Sequence, residues 1–162
     1  MKIGSYNITT SIQTINIENA YRYVNDTGWT LCIYFPEGNW TNETDDDTIV
    51  DAILSEIKPH VDDFVKRECV LQKAWVNIHS DRDDRADPHD HEETDYTSIY
   101  YVHAPDNCGE LFARIGNKVH DFMPKEGLLV VMDGDVVHWT DHNESGSPRV
   151  SIVCDWLIDF DK

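Results

Sequence analysis

The sequence lacks the long apolar runs and paired cysteines that mark several large classes of protein. No apolar run approaches the roughly 18 residues of a membrane-spanning helix, which argues against helical membrane spans. The four cysteines are widely spaced and form no CxxC pair, which argues against a disulfide framework or a cysteine-ligated zinc site. Because the first residues contain no continuous apolar stretch, we expect no secretory signal and a cytoplasmic or otherwise intracellular location.

Basic residues are also scarce. Lys and Arg number 13 against 31 Asp and Glu, which gives a net charge of −18. A negative field of this size repels phosphate groups, so we expect neither nucleic acid nor an anionic membrane as a partner. The field favours cationic substrates, although a solvated acidic surface accounts for most of these charges.

The pattern of apolar residues predicts a mainly β protein with one helical region. We expect a single domain over 1–162, with N-terminal strands and a helix in 1–69 and a β core in 70–162. Asp46 or Asp47 is a candidate helix cap, and apolar residues at a spacing of three and four run from Ile49 to Ile57. Many short strands after one helix favour an antiparallel β sandwich or jelly roll with the helix packed outside.

The predicted strands of the second part are short and are separated by turns rich in Gly, Pro, Asn and Asp. They are Val70–His79, Ser98–His103, Glu110–Arg114, Gly127–Met132 and Arg149–Ile158.

Three histidines are candidate metal ligands. His89 and His91 are two residues apart, and on an extended segment two such side chains point to the same side. His138 follows on a late strand, which folding could bring back to this pair. Imidazole is a ligand for Fe, Zn, Cu and Ni, so we predict a metal site with these three side chains.

The identity of the third ligand stays open at this stage. Two His and one carboxylate form a facial triad that leaves three adjacent positions for a cosubstrate and O₂. In this chain Glu93 or Asp90 can supply a carboxylate, or His91 itself completes a three-histidine face. A three-histidine face carries one less negative charge, which should alter the redox tuning of the metal and its cosubstrate affinity.

Arg149 lies in a strand-like run, eleven residues after His138. A buried guanidinium needs an anionic partner, which is either one of the many carboxylates of the chain or the carboxylate of a ligand held by two hydrogen bonds. Ser151 faces the same side of that strand, and Tyr101 is a candidate donor on a neighbouring strand. The sequence therefore predicts an anion site beside the metal candidates.

From Val70 to Trp156 these motifs together resemble the Fe(II)- and 2-oxoglutarate-dependent oxygenases, specifically the prolyl-hydroxylase-like branch. His91 departs from the His-x-Asp pattern of that family, and small oxygenase-like proteins, including phage-encoded ones, look similar with His-x-His. The likeness is carried in chain order by Pro88–His91, Ile99–Val102, Cys108–Phe112, Gly127–Met132 with His138, and Arg149 with Ser151.

The resemblance implies a double-stranded β-helix that holds one Fe²⁺. It implies 2-oxoglutarate as cosubstrate, with Arg149 on its far carboxylate and with Tyr101, Ser151 and, more loosely, His79 assisting. The implied reaction consumes O₂, yields succinate and CO₂, and hydroxylates a protein, peptide or small molecule, with ascorbate as a stimulating reductant. Beyond the metal ligands, no catalytic residue is implied, and a phage origin would place the protein in a host cell.

Two other readings stay open. A cupin would use the same architecture without 2-oxoglutarate, with Asp95 as its carboxylate, but Val102 stands where a cupin glycine is expected, and Arg149 has no role. A non-catalytic binding or structural module with a degenerate metal site is the second alternative. The substrate is not implied, although the acidic stretch 81–95 suggests a basic peptide, and the sequence says nothing of the oligomeric state.

Overall fold

The structure is a computed structural model that describes residues 2–16, 21–36, 50–51, 53–79 and 85–161. The predicted helix cap at Asp46 or Asp47 lies outside these residues. No helix in the described ranges has both the length and the apolar character needed to cross a bilayer.

The helical region is less regular than the apolar spacing alone predicts. A π-helical turn, Ile53–Ile57, leads into helix α1, Lys58–Val65. Pro59 stands in the first turn of α1, where the missing N–H of proline leaves no hydrogen bond unmade. The helix ends at Lys66, which has a φ of 62° and donates its backbone N–H to the carbonyl of Asp62.

Nine strands form two sheets in the described residues. The larger sheet has the order β2-β1-β7-β4-β9-β3, and the smaller has the order β6-β5-β8. The strands are β1 Lys2–Asn16, β2 Tyr21–Pro36, β3 Cys69–His79, β4 Tyr96–His103, β5 Leu111–Ile115, β6 Lys118–Phe122, β7 Leu128–Asp133, β8 Val137–Thr140 and β9 Arg149–Ile158.

The predicted jelly-roll class is confirmed, with three differences in detail. The sequence pattern did not predict β6 as a strand, because most of its residues are exposed and their apolar alternation is weak. It also gave no bounds for β8, which has only four residues. The strands pair antiparallel, except that β1 pairs with β7 in parallel, with Gln13 opposite Leu128. This third difference concerns the pairing of an N-terminal strand with the β core.

Strand β9 shows how the two cores are built. Every second residue, from Val150 to Trp156, belongs to a core that packs against Ile53, Ile57 and Val61 of the helical region. The intervening residues face the opposite side, because successive strand side chains alternate between faces. On that side Val153 joins a second core with the smaller sheet. The candidate site lies on this inner face, between the sheets.

Candidate metal centre

The backbone brings His89 and His138 side by side, although they are 49 positions apart in the chain. The two residues exchange both backbone hydrogen bonds, 3.1 and 2.9 Å long, as an isolated antiparallel bridge. His138 belongs to β8, whereas His89 lies in an extended segment that is not part of a longer strand. The prediction that folding returns the late histidine to the His-x-His pair is confirmed.

Gly134 fixes the loop that carries His91. Its carbonyl accepts the backbone N–H of His91 at 2.7 Å, and its own N–H bonds to the carbonyl of Asp95 at 3.0 Å. A Cβ atom at this position would lie 2.1 Å from the carbonyl oxygen of Thr94 and 2.7 Å from that of His91. Only glycine permits this approach, so the β7–β8 turn holds the His91 loop against the sheet.

The three imidazoles converge on one point. A ligand atom from each of His89, His91 and His138 lies within 4.8 Å of the others. The ring centroids are 5.2 Å apart for His89 and His91, 4.3 Å for His89 and His138, and 5.0 Å for His91 and His138. Among the described residues this is the cluster of His, Cys, Asp and Glu side chains that can hold a metal ion.

Each of the three rings makes a hydrogen bond at Nδ1, the nitrogen that faces away from the cluster. Nδ1 of His89 lies 2.6 Å from the carbonyl of Asp87, and Nδ1 of His138 lies 3.0 Å from the carbonyl of Val136. Nδ1 of His91 lies 2.7 Å from a carboxylate oxygen of Asp155. Since a backbone carbonyl or an ionised carboxylate can only accept, each Nδ1 carries a proton, and Nε2 is the ring atom left to bind a metal.

His138 is also held in the form that binds metals. Burial lowers its pKa to about 4, while the carbonyl of Val136 acts in the opposite direction. At neutral pH this imidazole is therefore uncharged, as ligation requires.

The candidate carboxylate ligands lie outside the cluster. Glu93 and Asp90 are exposed and line a cleft beside His91. Asp95, the carboxylate of the cupin alternative, accepts the backbone N–H of Ile158 at 2.8 Å. Within the described residues the convergent set is thus made of histidines alone.

Arg149 lies at the other end of a narrow cavity of about 60 Å³ that also contains the three histidines. It is 2% exposed, and its Nη1 donates to the carbonyls of Cys108, Gly109 and Asp141. Its Nη2 contacts Nδ1 of His79 at 2.6 Å and the hydroxyl of Thr140 at 3.3 Å.

None of the ion pairs in the described part of the chain involves Arg149, so no described carboxylate neutralises this buried cation. An uncompensated buried charge is costly, which makes the cavity suited to an anion.

Gly109 allows the guanidinium to reach these carbonyls. It has a φ of 94°, and a Cβ there would lie 2.7 Å from Nη1 of Arg149 and 2.5 Å from the carbonyl oxygen of His142. A side chain at this position would displace the arginine, so the predicted turn before β5 shapes the anion end of the cavity.

The other predicted cosubstrate residues, Tyr101, Ser151 and His79, line the same cavity. Tyr101 is 2% exposed, and burial raises the pKa of its phenol above the usual value, with the charge of Arg149 opposing this. The phenol therefore stays neutral and can donate a hydrogen bond. His79 contacts Arg149 directly, opposite it in the β3–β9 register.

Two residues of the site were not found by sequence reasoning. Trp75 of β3 stacks on His91, with ring centroids 5.7 Å apart and planes 18° apart, and it lines both the cavity and the cleft. Asp155 contacts His91 and shares the strand parity of Arg149 and Ser151. That parity was readable along 149–155, but a single sequence did not show that the far end of the strand reaches the histidines.

The residues present fit a divalent metal together with a dicarboxylate. The three Nε2 lone pairs form a neutral ligand face, which leaves open positions for other ligands. Arg149 supplies the cation that a distant carboxylate requires, with hydroxyl donors beside it.

Neither a protein-family model nor a curated protein matches the sequence. The fold is similar to that of several solved oxygenases. One is an oxidoreductase of the 2OG-Fe(II) oxygenase family from Burkholderia pseudomallei, with a TM-score of 0.63 and 13% identity over 93% of this chain and 72% of that one. A second is a Pseudomonas putida prolyl-4-hydroxylase, with a TM-score of 0.56 and 15% identity over 75% of this chain and 73% of that one.

A third is SnoN, a non-heme α-ketoglutarate-dependent epimerase from nogalamycin biosynthesis, with a TM-score of 0.62 and 14% identity over 70% of this chain. This chain spans only 57% of the length of SnoN. Such likenesses show a shared fold, and they confirm at that level the resemblance found in the motifs.

Proposed function

We propose that this chain is an Fe²⁺- and 2-oxoglutarate-dependent oxygenase that hydroxylates its substrate. The observation that carries the proposal is the pairing, in one cavity, of three convergent imidazoles with a buried guanidinium that no described carboxylate neutralises. A metal site alone fits many proteins, and a buried arginine alone is common. Together they match the two ends of a small keto diacid.

His89, His91 and His138 would hold the iron through their Nε2 atoms, because each Nδ1 is already occupied by a hydrogen bond. When bound, the iron would couple the oxidative decarboxylation of 2-oxoglutarate by O₂ to oxidation of a substrate C–H bond. The ligand set would consist of histidines alone, without Glu93.

Arg149 would bind the far carboxylate of 2-oxoglutarate through its guanidinium edge. Tyr101 and Ser151 would add hydroxyl donors from β4 and β9, and His79 would orient the guanidinium through its contact with Nη2. The apolar side chains of Ile99, Leu111 and Val153 line the rest of the cavity and exclude water from it.

The substrate would approach through the cleft on the other side of His91. This cleft has a volume of about 360 Å³, against about 60 Å³ for the cavity, so a bulky molecule would be accommodated in the cleft rather than in the cavity. Asp90, Glu92 and Glu93 line it, with Lys73 as the opposing charge. This acidic lining supports a cationic substrate, such as a basic peptide.

The test is succinate release by the purified protein with Fe²⁺, ascorbate, O₂ and 2-oxoglutarate. We expect slow succinate formation without substrate, and its loss in His89→Ala, which removes an exposed ligand without opening the core. His120→Ala, a histidine of β6 that is not part of the cluster, serves as the matched control and should keep the wild-type rate. No succinate from the wild type, and no stabilisation by 2-oxoglutarate, would favour a non-catalytic module.

Substrate class can be tested in the same assay. Basic peptides should accelerate succinate release more than acidic peptides of equal length, and the difference should shrink in Glu92→Gln. Equal rates with both peptide sets would contradict a cationic substrate and leave the oxygenase proposal intact.

A further inference from the structure

Asp155 is a buried carboxylate at the edge of the metal centre. It is 3% exposed and lies near the C-terminal end of β9, between Lys73 of β3 and Thr97 of β4 in the strand register. One carboxylate oxygen accepts Nδ1–H of His91 at 2.7 Å, and the other lies 3.8 Å from the Lys73 ammonium.

The three histidines differ in what holds them. His89 and His138 donate to backbone carbonyls, which are neutral and belong to residues two positions away in the chain. His91 donates to a full negative charge that reaches it from a residue 64 positions away. His91 is also the residue that stands where the His-x-Asp pattern has its aspartate.

We propose that Asp155 is a positioning residue of the metal centre. Its carboxylate fixes the orientation of His91. It also places, one hydrogen bond beyond the ligand His91, the negative charge that a three-histidine ligand set lacks. The inference rests on the proposed function in so far as the three histidines bind a metal.

The physical reason is the effect of a hydrogen-bond acceptor on the metal-binding histidine that donates to it. A carboxylate on Nδ1–H locks the ring orientation and raises the basicity of Nε2, which strengthens the bond to a cation. Because Asp155 is buried, its charge is weakly screened and acts over the short distance to the metal position. His91 is further fixed by the ring of Trp75, which stacks at 5.7 Å.

A purely structural role for Asp155 would act through Lys73. The interaction of that ion pair is weaker than the hydrogen bond to His91, since Nζ of Lys73 lies 3.8 Å from the carboxylate oxygen and the lysine side chain is 40% exposed. The two roles can be separated, because Lys73 can be removed without touching the hydrogen bond to His91.

The experiment measures the affinity of the full chain for Co²⁺ alone, by visible absorption in competition with a chelator. Asp155→Ala should bind Co²⁺ about 10- to 100-fold more weakly than the wild type, the range expected for loss of such a partner. Asp155→Asn keeps an oxygen acceptor without its charge and should lie between the two. Lys73→Met and Asp135→Asn, which removes an exposed charge near β8, should stay within about threefold of the wild type.

A second readout is independent of affinity. In the Zn²⁺-loaded protein, the Nδ1–H proton of His91 should give a downfield NMR signal that disappears in Asp155→Ala and moves in Asp155→Asn, and it should be retained in Lys73→Met.

Equal Co²⁺ affinity for wild type and both Asp155 variants would overturn the inference while leaving the metal site in place. A loss in Lys73→Met as large as in Asp155→Ala would also overturn it, in favour of the structural role. Failure of the wild type to bind Co²⁺ would instead refute the proposed function on which the inference rests.

Discussion

The replacement Arg149→Met tests the anion end of the cavity. A guanidinium that holds a carboxylate by two hydrogen bonds contributes about 1.5–3 kcal/mol for each, so its loss should weaken 2-oxoglutarate binding by about 3–6 kcal/mol. This corresponds to roughly a hundredfold or more in the dissociation constant.

The variant should also be less stable without ligand. Arg149 donates to the buried carbonyl of Cys108 and to the part-buried carbonyls of Gly109 and Asp141, and methionine would leave these acceptors without this donor. Each unsatisfied group costs about 1–3 kcal/mol, although removal of a buried cation without a described anionic partner offsets part of this. Ligand effects must therefore be compared with the ligand-free melting temperature of the same variant.

The assay is the shift in melting temperature that 2-oxoglutarate produces in the Mn²⁺-loaded protein, where turnover is avoided. At a ligand concentration of about 100 times its dissociation constant, the wild type should gain about 2.7 kcal/mol. For a chain of this size that gain is roughly 5–11 °C. At the same concentration Arg149→Met should shift by about 1–2 °C or less.

Arg114→Met is the matched control, since it removes an exposed arginine of β5 that lies over the ring of Trp139 at 5.4 Å. It should keep the full shift. Arg149→Lys keeps the charge without the planar fork and should give an intermediate shift. A shift in Arg149→Met as large as in the wild type would refute the assignment of the cavity to a diacid.

Three other predictions concern the frame of the site. Gly109→Ala should lower the free energy of unfolding by about 1–3 kcal/mol and reduce the 2-oxoglutarate shift, because a Cβ at φ 94° meets Nη1 of Arg149; an unchanged shift in the melting assay would contradict this. Ile152→Ala, at a fully buried position of β9, should cost about 2–5 kcal/mol in urea unfolding, and a cost below about 1 kcal/mol would show that the core relaxes around it. Burial lowers the pKa of His60, so wild-type stability should fall as the pH drops below about 6.5, where the unfolded histidine takes up a proton first. In His60→Gln this part of the fall should be absent between pH 8 and 5.5 in urea titrations, and an unchanged pH dependence would refute the burial argument.

The sequence was sufficient to identify the metal candidates because few residue types bind transition metals. Histidines at two-residue spacing, followed by a late histidine, form a pattern that survives errors in strand boundaries. The structure places His89 in an isolated bridge outside the longer strands, yet the rings still converge. The backbone pairing of His138 with His89 depends on long-range folding, and the sequence indicated the return of the late histidine without indicating which residues pair.

Asp155 could not be assigned from the sequence for a related reason. The chain has 31 acidic residues, and nothing local separates a buried carboxylate from the solvated majority. Its role depends on the register of β9 between β3 and β4, which sets which residues stand opposite it. Trp75 was missed similarly, since an aromatic residue on a strand usually belongs to the core.

Strand β9 carries residues of both ends of the site. Arg149, Ser151, Val153 and Asp155 are spaced by two, so one straight strand places a cation at one end of the inner face and an anion at the other. The pairing is continuous with β3 from Lys73 to His79 and with β4 from Tyr96 to Tyr101, and the irregularities fall outside these stretches.

A slip of one residue would exchange this inner set for Val150, Ile152, Cys154 and Trp156 and place every charged group in the apolar core. The apolar core therefore fixes the register, and the register fixes the order of charges along the cavity.

A dianion would bind with its free carboxylate at the arginine end, since Asp155 repels it from the histidine end except where a metal cation intervenes. On this reasoning, metal loading should precede 2-oxoglutarate binding, and metal-free protein should bind the diacid much more weakly.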